Sequence, residues 1–186
     1  MSAPPILPFL FETQLGWMVV HADRKFLRQV TFGHPDQDRA LQAAGVESVP
    51  RGVPFAWMRS LVDRLRRFAA GQPVDFDDVP IDLSDQTPFQ QAVIAQCRGV
   101  RWGETATYGQ LAARAGFPAA ARAVGQCMAT NRRPIVVPCH RVVAAGGRLC
   151  GFSAIGGLQT KRRLLEMERS GKEGKQSVLS VPQAML

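Results

Sequence analysis

Aromatic and β-branched residues dominate the start of the chain, from residue 9 to residue 32. The two runs at 9–21 and 26–32 are rich in Phe, Val and Trp, which favour strands, and the segment Ala22–Lys25 between them has the composition of a turn. The pattern therefore predicts strands joined by a turn in this part of the chain.

Helical spacing replaces this pattern after residue 35. A first helix is predicted near 35–44 and a second over 55–70, which Gly71 and Pro73 end. The acidic segment 75–85 is predicted to begin as a strand and to continue as a linker. The apolar positions of the second helix recur at helical intervals: Trp57, Leu61, Leu65 and Phe68.

From Thr87 onwards the pattern changes to helices and loops. Thr87 and Pro88 suit the N-cap and first position of a helix, which is predicted to end near Arg98. Two further helices, 110–115 and 119–129, are predicted on either side of a Gly-Phe-Pro turn. Helix, short turn and helix make the outline of a helix-turn-helix, although an ordinary packed helix pair has the same pattern.

The remaining predicted elements are a short strand over 135–139, a glycine-rich loop and a last helix that begins near residue 159. Residues 170–186 include a run of Gly, Lys, Glu, Gln and Ser and are expected to be disordered. The chain shows no internal repeat, so its organisation follows from these elements alone.

Positive charge is concentrated in the second half of the chain. The net charge is +8, and residues 86–186 carry 14 of the 23 Lys and Arg residues but 4 of the 15 Asp and Glu residues. A basic half indicates a polyanionic partner, with nucleic acid as the first candidate. A basic surface that serves only solubility has the same composition, so charge alone leaves both interpretations open.

The overall composition, with 46% apolar and 20% charged residues, is that of an ordinary globular protein. No apolar stretch is long enough to span a bilayer, and the proline-interrupted N-terminus lacks the basic region of a signal peptide. We therefore expect a cytoplasmic protein with reduced cysteines and no membrane association. The cysteines lack the paired spacing of metal ligands, and no metal is expected: Cys97, Cys127, Cys139 and Cys150.

The sequence Pro138-Cys139-His140 places a thiol beside an imidazole. Cys139 is a candidate nucleophile, metal ligand or buried core residue. Consecutive side chains point in different directions, so His140 could act on the thiol only through a bridging water, with a carboxylate orienting the ring. Between Asp85 and Glu173 the carboxylates available for this task are Glu104, Glu166 and Glu168.

A set of motifs is more specific than the Cys-His pair. These motifs are Thr87-Pro-Phe-Gln, Gly103-Glu-Thr-Ala-Thr-Tyr-Gly-Gln-Leu-Ala, Ala120-Ala-Arg-Ala-Val-Gly, Asn131, Pro134-Ile, Pro138-Cys-His-Arg-Val-Val, Gly151-Phe-Ser, Lys161 and Leu164-Leu-Glu-Met-Glu168. With them, residues 86–169 resemble the O6-alkylguanine-DNA alkyltransferase family, also called methylated-DNA–protein-cysteine methyltransferases. Residues 9–85 resemble it weakly, through the strand-rich pattern and Leu15-Gly-Trp-Met18.

The resemblance implies an α+β protein of two domains. A small RNase H-like α/β domain at 1–85 would precede a mainly helical winged-helix or helix-turn-helix domain at 86–169, with 170–186 as a disordered tail. It also implies direct-reversal DNA repair, in which an alkyl group passes irreversibly from O6 of guanine to Cys139 in a single turnover. Whether alkyl groups on O4 of thymine are a second substrate is left open by the resemblance. Such a reaction requires no metal, flavin or other cofactor.

The same resemblance implies catalytic roles for five residues. Cys139 matches the alkyl acceptor, His140 its water-bridged base and Glu168 the carboxylate that orients the base. Tyr108 matches a hydroxyl that donates to the guanine ring as negative charge develops, and Asn131 matches a hinge between the helix-turn-helix and the cysteine loop. An imidazolium held by Glu168 is expected to lower the pKa of the Cys139 thiol.

Further positions match contacts to DNA and to the lesion. Arg122 matches the residue that fills the base stack after the nucleotide is extruded, because an atom inside a duplex cannot be attacked. The backbone at Val142 and Val143 matches acceptors for the guanine amino group. The implied partner is double-stranded DNA containing O6-alkylguanine, bound through its minor groove with little sequence preference by a monomer. The remaining matched binding positions are Phe152, Ser153 and Lys161.

Three departures from the family pattern leave details open. Val100-Arg101 stands where Ile-Pro is usual, and Arg132 stands where proline is usual. The loop 152–161 is two residues longer than the common spacing, which affects the shape of the base pocket. Three other functions also stay open: lesion recognition without repair, DNA-binding regulation and cysteine hydrolysis. Cys139 argues against the first, and a regulator would not need Cys139, His140 and Tyr108 together.

Overall fold

The first half of the chain is built on a three-stranded antiparallel sheet. The computed structural model describes residues 5–179, and the sheet contains β1 (Leu7–Thr13), β2 (Gly16–Ala22) and β3 (Leu27–His34) in that order. Gly16 has a φ of +96°, and a Cβ at this position would lie 2.6 Å from the carbonyl oxygen of His34. The strand-rich run at 9–21 is therefore two strands, separated by a turn that needs glycine.

Two helices pack against this sheet, and both lie where the sequence predicted them. α1 (Gln37–Ala44) contacts β2 and β3, and α2 (Ala56–Ala69) contacts β1. The predictions of these helices are confirmed. The buried face of α2 supplies much of the first apolar core: Met58, Leu61, Val62, Leu65 and Phe68.

The acidic segment 75–85 is not the strand that its first residues predicted. Its only pairing with the sheet, within the described residues, is an isolated bridge between Ile81 and Leu27. The Asp75 and Asp82 side chains each accept a hydrogen bond from the backbone N–H two residues ahead. These local bonds fold the segment into turns, which compete with a strand ladder.

The second half of the chain contains three short helices that contact one another. These are α3 (Pro88–Arg98), α4 (Tyr108–Arg114) and α5 (Ala121–Ala129), close to their predicted bounds. A turn around Gly116, whose φ is +89°, separates α4 from α5 and completes the predicted helix pair. The first two helices begin with capping boxes, in which each threonine and glutamine satisfy one another's backbone N–H: Thr87 with Gln90 and Thr107 with Gln110.

Residues 131–141, the cysteine segment, form a bend instead of the strand predicted over 135–139. Ile135 has a φ of +73°, which a β-branched residue rarely adopts, and a 3-10 turn follows at Cys139–Arg141. Ile135 belongs to the apolar core of the first half and Val137 to that of the second half. The strand prediction is wrong because these apolar residues are buried in two different cores and do not line one sheet.

A two-stranded parallel pairing and a long helix complete the fold. The pairing joins β4 (Ala106–Thr107) to β5 (Val142–Val143), and the helix is α6 (Gly157–Leu179). The fold is mixed α/β, with small sheets and several helices. No helix within residues 5–179 has both the length and the apolar character needed to cross a membrane.

α6 continues into the segment that was expected to be disordered. The helix includes residues 170–179, and residues 180–186 lie outside the described part of the chain. Lys, Glu and Gln in this segment are strong helix formers. Gly171 lies close to the backbone of Gly71, whose carbonyl oxygen would be 3.0 Å from a Cβ at position 171, so α6 also packs against the end of α2.

We predict that Phe68→Ala will lower the free energy of unfolding by about 3–5 kcal/mol. Phe68 is fully buried, and its ring meets the edges of Trp102 and His140 at centroid distances of 5.4 and 5.9 Å. Phe117→Ala is the control, since Phe117 is 42% exposed, and it should cost under about 1 kcal/mol. Urea denaturation measures both values, and equal losses would contradict the prediction.

Candidate active site

The Cys139 thiol is buried at the start of the 3-10 turn, with 4% of the residue exposed. Pro138 precedes it, and the carbonyl oxygen of Pro138 accepts a hydrogen bond from the Arg141 N–H that closes the turn. The Cys139 sulfur accepts a hydrogen bond from Asn131 Nδ2 at 3.0 Å. The thiol therefore has a defined position and a polar partner.

Asn131 connects the end of α5 to the cysteine segment. Its Nδ2 also donates to the carbonyl oxygen of Val137 at 2.9 Å, and its Oδ1 accepts from the backbone N–H of Arg133 at 3.0 Å. All of these bonds lie within one loop. Asn131 thus occupies the place between helix pair and cysteine loop that the sequence suggested for a hinge residue.

His140 is fully buried and contacts Glu168, which lies on α6. Its Nε2 is 2.8 Å from Glu168 Oε1, whereas Glu166 is exposed on the same helix. Because an ionised carboxylate only accepts, Nε2 carries the proton and Nδ1 of a neutral ring is free of one. Nδ1 is buried and has no hydrogen-bond partner among the described residues.

Arg141 is a member of the site that has no role assigned from the sequence. Its Nε and Nη2 bind the Glu168 carboxylate at 2.9–3.1 Å, and its Nη1 donates to the Val100 carbonyl at 2.6 Å. The backbone N–H of Gly103 adds a further bond to Glu168 Oε2 at 3.0 Å. The sequence signal was the Arg that follows Cys-His, but only the fold shows its partner.

The three buried groups differ in their charge states. Burial opposes ionisation of Glu168, but its bonds to His140 and to the charged Arg141 outweigh this and lower its pKa to about 2. Burial lowers the pKa of His140 and raises the pKa of the Cys139 thiol. These directions favour a neutral thiol and a neutral imidazole at rest, and the lowering of the thiol pKa by an imidazolium stays a prediction.

Lys161 lies inside the protein, although the family resemblance implied a place among the substrate- and DNA-binding positions. It is fully buried, and its Nζ donates to the carbonyl oxygens of Val142 at 2.6 Å and Cys150 at 3.1 Å. This burial does not fit a direct contact of the Lys161 ammonium with DNA. Its position braces β5 against the glycine-rich loop, because both carbonyls meet at one nitrogen.

Tyr108 begins α4 beside the same loop. Its hydroxyl donates to the Cys150 carbonyl over a long 3.4 Å, and its ring lies against Gly125 of α5. Burial raises the pKa of Tyr108, so the hydroxyl keeps its proton and can act as a donor.

Two cavities meet at Cys139. The first has a volume of about 250 Å³ and lies within the second half of the chain, and the second, of about 370 Å³, lies between the halves along β3. Both are bordered by Cys139, Phe152 and Ser153, and two further residues of the loop 152–161, Ala154 and Ile155, line only the larger one. The smaller cavity is lined by Tyr108, Gly125, Met128, Ala129, Cys139, Gly151, Phe152 and Ser153.

Arg122 lies apart from the thiol, on the exposed surface at the start of α5. It borders an open groove together with Tyr108 and Gly125. The structure thus places Cys139 and Asn131 in the interior and Arg122 at the edge of this exposed groove. Among the side chains that the structure describes, in residues 5–171, no three His, Cys, Asp or Glu side chains are grouped so that they could hold a metal ion.

Comparisons with known proteins match this chain to one family. The family model of the 6-O-methylguanine DNA methyltransferase, DNA binding domain, matches residues 88–170. A methylated-DNA–protein-cysteine methyltransferase of Mycobacterium tuberculosis is 46% identical over 109 residues, which are 59% of this chain and 64% of the relative. One of Methanosarcina acetivorans is 34% identical over 170 residues, which cover 87% of this chain and 97% of the relative. The chain thus spans less than two thirds of the mycobacterial relative and nearly all of the archaeal one.

A solved structure is similar over both halves of the chain. The crystal structure of Mycobacterium tuberculosis O6-methylguanine methyltransferase has a TM-score of 0.72 and 30% identity, and the match covers 97% of each chain. A crystal structure of Mycobacterium tuberculosis OGT in complex with DNA has a TM-score of 0.69 and 32% identity, covering 87% of this chain and 92% of that one. The similarity therefore includes the strand-rich first half, whose sequence signal is weak.

We predict that Glu168→Gln will reduce the dependence of folding stability on acid pH. Because the pKa of Glu168 is lowered from 4.5 to about 2 in the folded protein, its contribution is present above pH 4.5 and is lost as pH falls towards 2. The difference in unfolding free energy between wild type and Glu168→Gln should therefore be largest near neutral pH and shrink in acid. Glu166→Gln is the control, and a constant difference for Glu168→Gln would contradict the prediction.

Proposed function

Because this chain belongs to the O6-alkylguanine-DNA alkyltransferase family, we propose that it repairs DNA by transferring alkyl groups from O6 of guanine to Cys139. The observation that carries the proposal is a buried thiol bonded to Asn131, adjacent to a histidine–carboxylate pair and on the border of a base-sized cavity. A thioether has no simple reverse reaction in such a site. Each molecule is therefore expected to act once.

The proposed reaction is an in-line displacement at the alkyl carbon. The Cys139 sulfur forms the new S–C bond while the C–O6 bond breaks, and its electron pair stays on the guanine. The thiol proton passes to Nδ1 of His140 through a bridging water, since the two neighbouring side chains diverge. The Tyr108 hydroxyl donates to the base ring as negative charge develops, and the released guanine finally takes up one proton.

The buried charges suit this sequence of events. His140 is neutral at rest and its Nδ1 is free to accept a proton. The imidazole can therefore act as a general base as soon as the lesion is bound. When the ring gains a proton, the Glu168 carboxylate beside Nε2 stabilises the imidazolium. Arg141 keeps that carboxylate ionised throughout, because its two bonds do not depend on the charge of His140.

The helix pair α4 and α5 is proposed to bind DNA as a helix-turn-helix in a winged-helix domain, beside an RNase H-like first half. The outward residues of α5 include Ala123 and Gln126, and Arg122 stands exposed beside the groove that contains Tyr108. A helix with small side chains can approach the minor groove closely, and Arg122 would fill the stack after the base leaves it. Such contacts read little sequence, which suits a repair protein.

The larger cavity supports substrates beyond the methyl group. It shares Cys139 with the smaller cavity, so an alkyl chain whose first carbon meets the sulfur has space beyond it. We propose that longer O6-alkyl groups, and O4-methylthymine as a smaller base, are accepted. All four cysteines are free, which suits the reducing cytoplasm, and one monomer contains every residue of the site.

We predict that Cys139→Ser will abolish alkyl transfer and retain DNA binding, because a hydroxyl is far harder to ionise than a thiol while the DNA-binding surface is unchanged. Incubation with duplex DNA containing O6-methylguanine should add one methyl group to the wild-type protein, located on the Cys139 peptide by mass spectrometry. Cys150→Ser is the control and should keep full transfer. Methyl transfer that survives in Cys139→Ser would identify another acceptor and refute the assignment.

We predict that Arg122→Ala will slow repair of duplex DNA much more than reaction with free O6-benzylguanine, since only the duplex requires a base to leave the stack. Arg59→Ala removes one exposed charge from the first half and should slow neither reaction. Equal slowing of both substrates by Arg122→Ala would exclude a role in base extrusion.

We also predict that the affinity for undamaged duplex DNA falls linearly with salt concentration on logarithmic axes, and each lost phosphate contact should lower the slope by about 1. A flat salt response would contradict binding through phosphate contacts.

A further inference from the structure

Arg133 lies at the contact between the cysteine segment and the first half of the chain. Arg133 is only 8% exposed, although its side chain carries a charge. Its Nε donates to the carbonyl oxygen of Leu27 at 3.2 Å, and its Nη2 donates to that of Asp82 at 2.7 Å. Both acceptors belong to the first half, so a guanidinium of the second half is satisfied across the boundary.

The backbone around Arg133 is held at the same boundary. The neighbouring carbonyl oxygen of Arg132 accepts a hydrogen bond from the N–H of Val30, on β3, at 2.9 Å. The carbonyl oxygen of Arg133 accepts from Val137 N–H at 2.8 Å, which closes the bend of the cysteine segment. Side chain and main chain therefore fix this point of the segment from two directions.

The N–H of Arg133 in turn sets the orientation of the Asn131 amide. Because Asn131 Oδ1 accepts from Arg133 N–H, its Nδ2 is directed to the other side, where it reaches the Val137 carbonyl and the Cys139 sulfur. Rotation of this amide would break all three hydrogen bonds at once. The donor on the sulfur thus depends on where the backbone of Arg133 lies.

We propose that Arg133 is a positioning residue for the acceptor thiol: it anchors the cysteine segment to β3 and to Asp82, and thereby keeps the Asn131 amide on Cys139. This inference rests on the proposed role of Cys139 as the alkyl acceptor. Through Arg133 and Asn131, the first half of the chain, which contributes no reacting group, would then affect the reactivity of the sulfur.

A donated hydrogen bond favours the thiolate, and the Asn131 bond opposes the effect of burial on the pKa of Cys139. If the amide is displaced, the thiol becomes harder to ionise and reacts at higher pH. The other charged or titratable groups near the sulfur include members of β3, α3, α4, α6 and the cysteine segment itself, and within the described residues none of them makes a side-chain hydrogen bond to Arg133. These groups are His34, Cys97, Tyr108, Arg132, His140, Arg141 and Lys161.

Arg98 provides a matched control in the same molecule. Its Nη2 also donates to backbone carbonyls of the first half, those of Phe76, Asp77 and Val79, at 2.7–3.0 Å. It projects from α3, and among the described residues it makes no hydrogen bond to the cysteine segment. Arg98→Met therefore removes a comparable anchor between the halves without touching the Asn131 amide.

The test is the rate of Cys139 alkylation by iodoacetamide as a function of pH in the full chain, followed by mass spectrometry of the Cys139 peptide. Arg133→Met should shift the profile to higher pH and slow the reaction near neutral pH by about three- to tenfold, which corresponds to half to one pKa unit. Arg98→Met should lose stability in urea but keep the wild-type profile. DNA is absent from this assay, so its outcome does not depend on whether the protein repairs a lesion.

A wild-type profile in Arg133→Met, with a loss of stability like that of Arg98→Met, would reduce Arg133 to a structural anchor and overturn the proposal. An equal shift in both variants would overturn it too, since general loosening would then explain the effect. Should Arg133→Met fail to fold, Arg133→Gln decides, because its shorter neutral side chain cannot bind both carbonyls as the guanidinium does. Its profile must also shift to higher pH for the proposal to stand.

Discussion

The buried carboxylate of Glu168 is the constraint on which the site depends. An ionised carboxylate without water must be surrounded by donors, and here they come from His140, Arg141 and the N–H of Gly103. These donors lie in the cysteine segment and in the turn before α4, whereas the carboxylate lies on α6. Satisfying one charge therefore fixes three separate parts of the chain relative to one another, and the thiol is positioned as a consequence.

The same arrangement determines when the thiol becomes reactive. Burial favours the neutral forms of both Cys139 and His140, and a neutral thiol reacts more slowly with alkylating agents than a thiolate. In the proposed reaction, ionisation of the thiol then accompanies the displacement, when the leaving guanine begins to take up charge and a proton acceptor is already in place. A permanently ionised thiolate would react faster with any electrophile, but it would not discriminate between a lesion and other alkylating agents.

Local signals in the sequence predicted the helices well, because the capping residues at Thr87 and the apolar spacing of α2 act within a few residues. The bend of the cysteine segment was not predictable in this way. Ile135 and Val137 read as one strand, but they enter two different cores, and that division depends on contacts distant in sequence. The partner of His140 could be narrowed to three carboxylates by their scarcity, whereas Arg141 and Arg133 acquire their roles only from partners that the fold brings near.

Lys161 shows how the remaining buried charge fits this scheme. Its ammonium is satisfied by two carbonyl oxygens, and within the described residues it forms no ion pair with a carboxylate. Carbonyl dipoles solvate the charge without cancelling it, so its field still acts on nearby atoms. That field lowers the pKa of Cys139 and opposes burial, together with the Asn131 bond. Glu168 pairs with the charge of Arg141 within the protein, whereas in the proposed reaction the charge of Lys161 is left to stabilise negative charge on the sulfur.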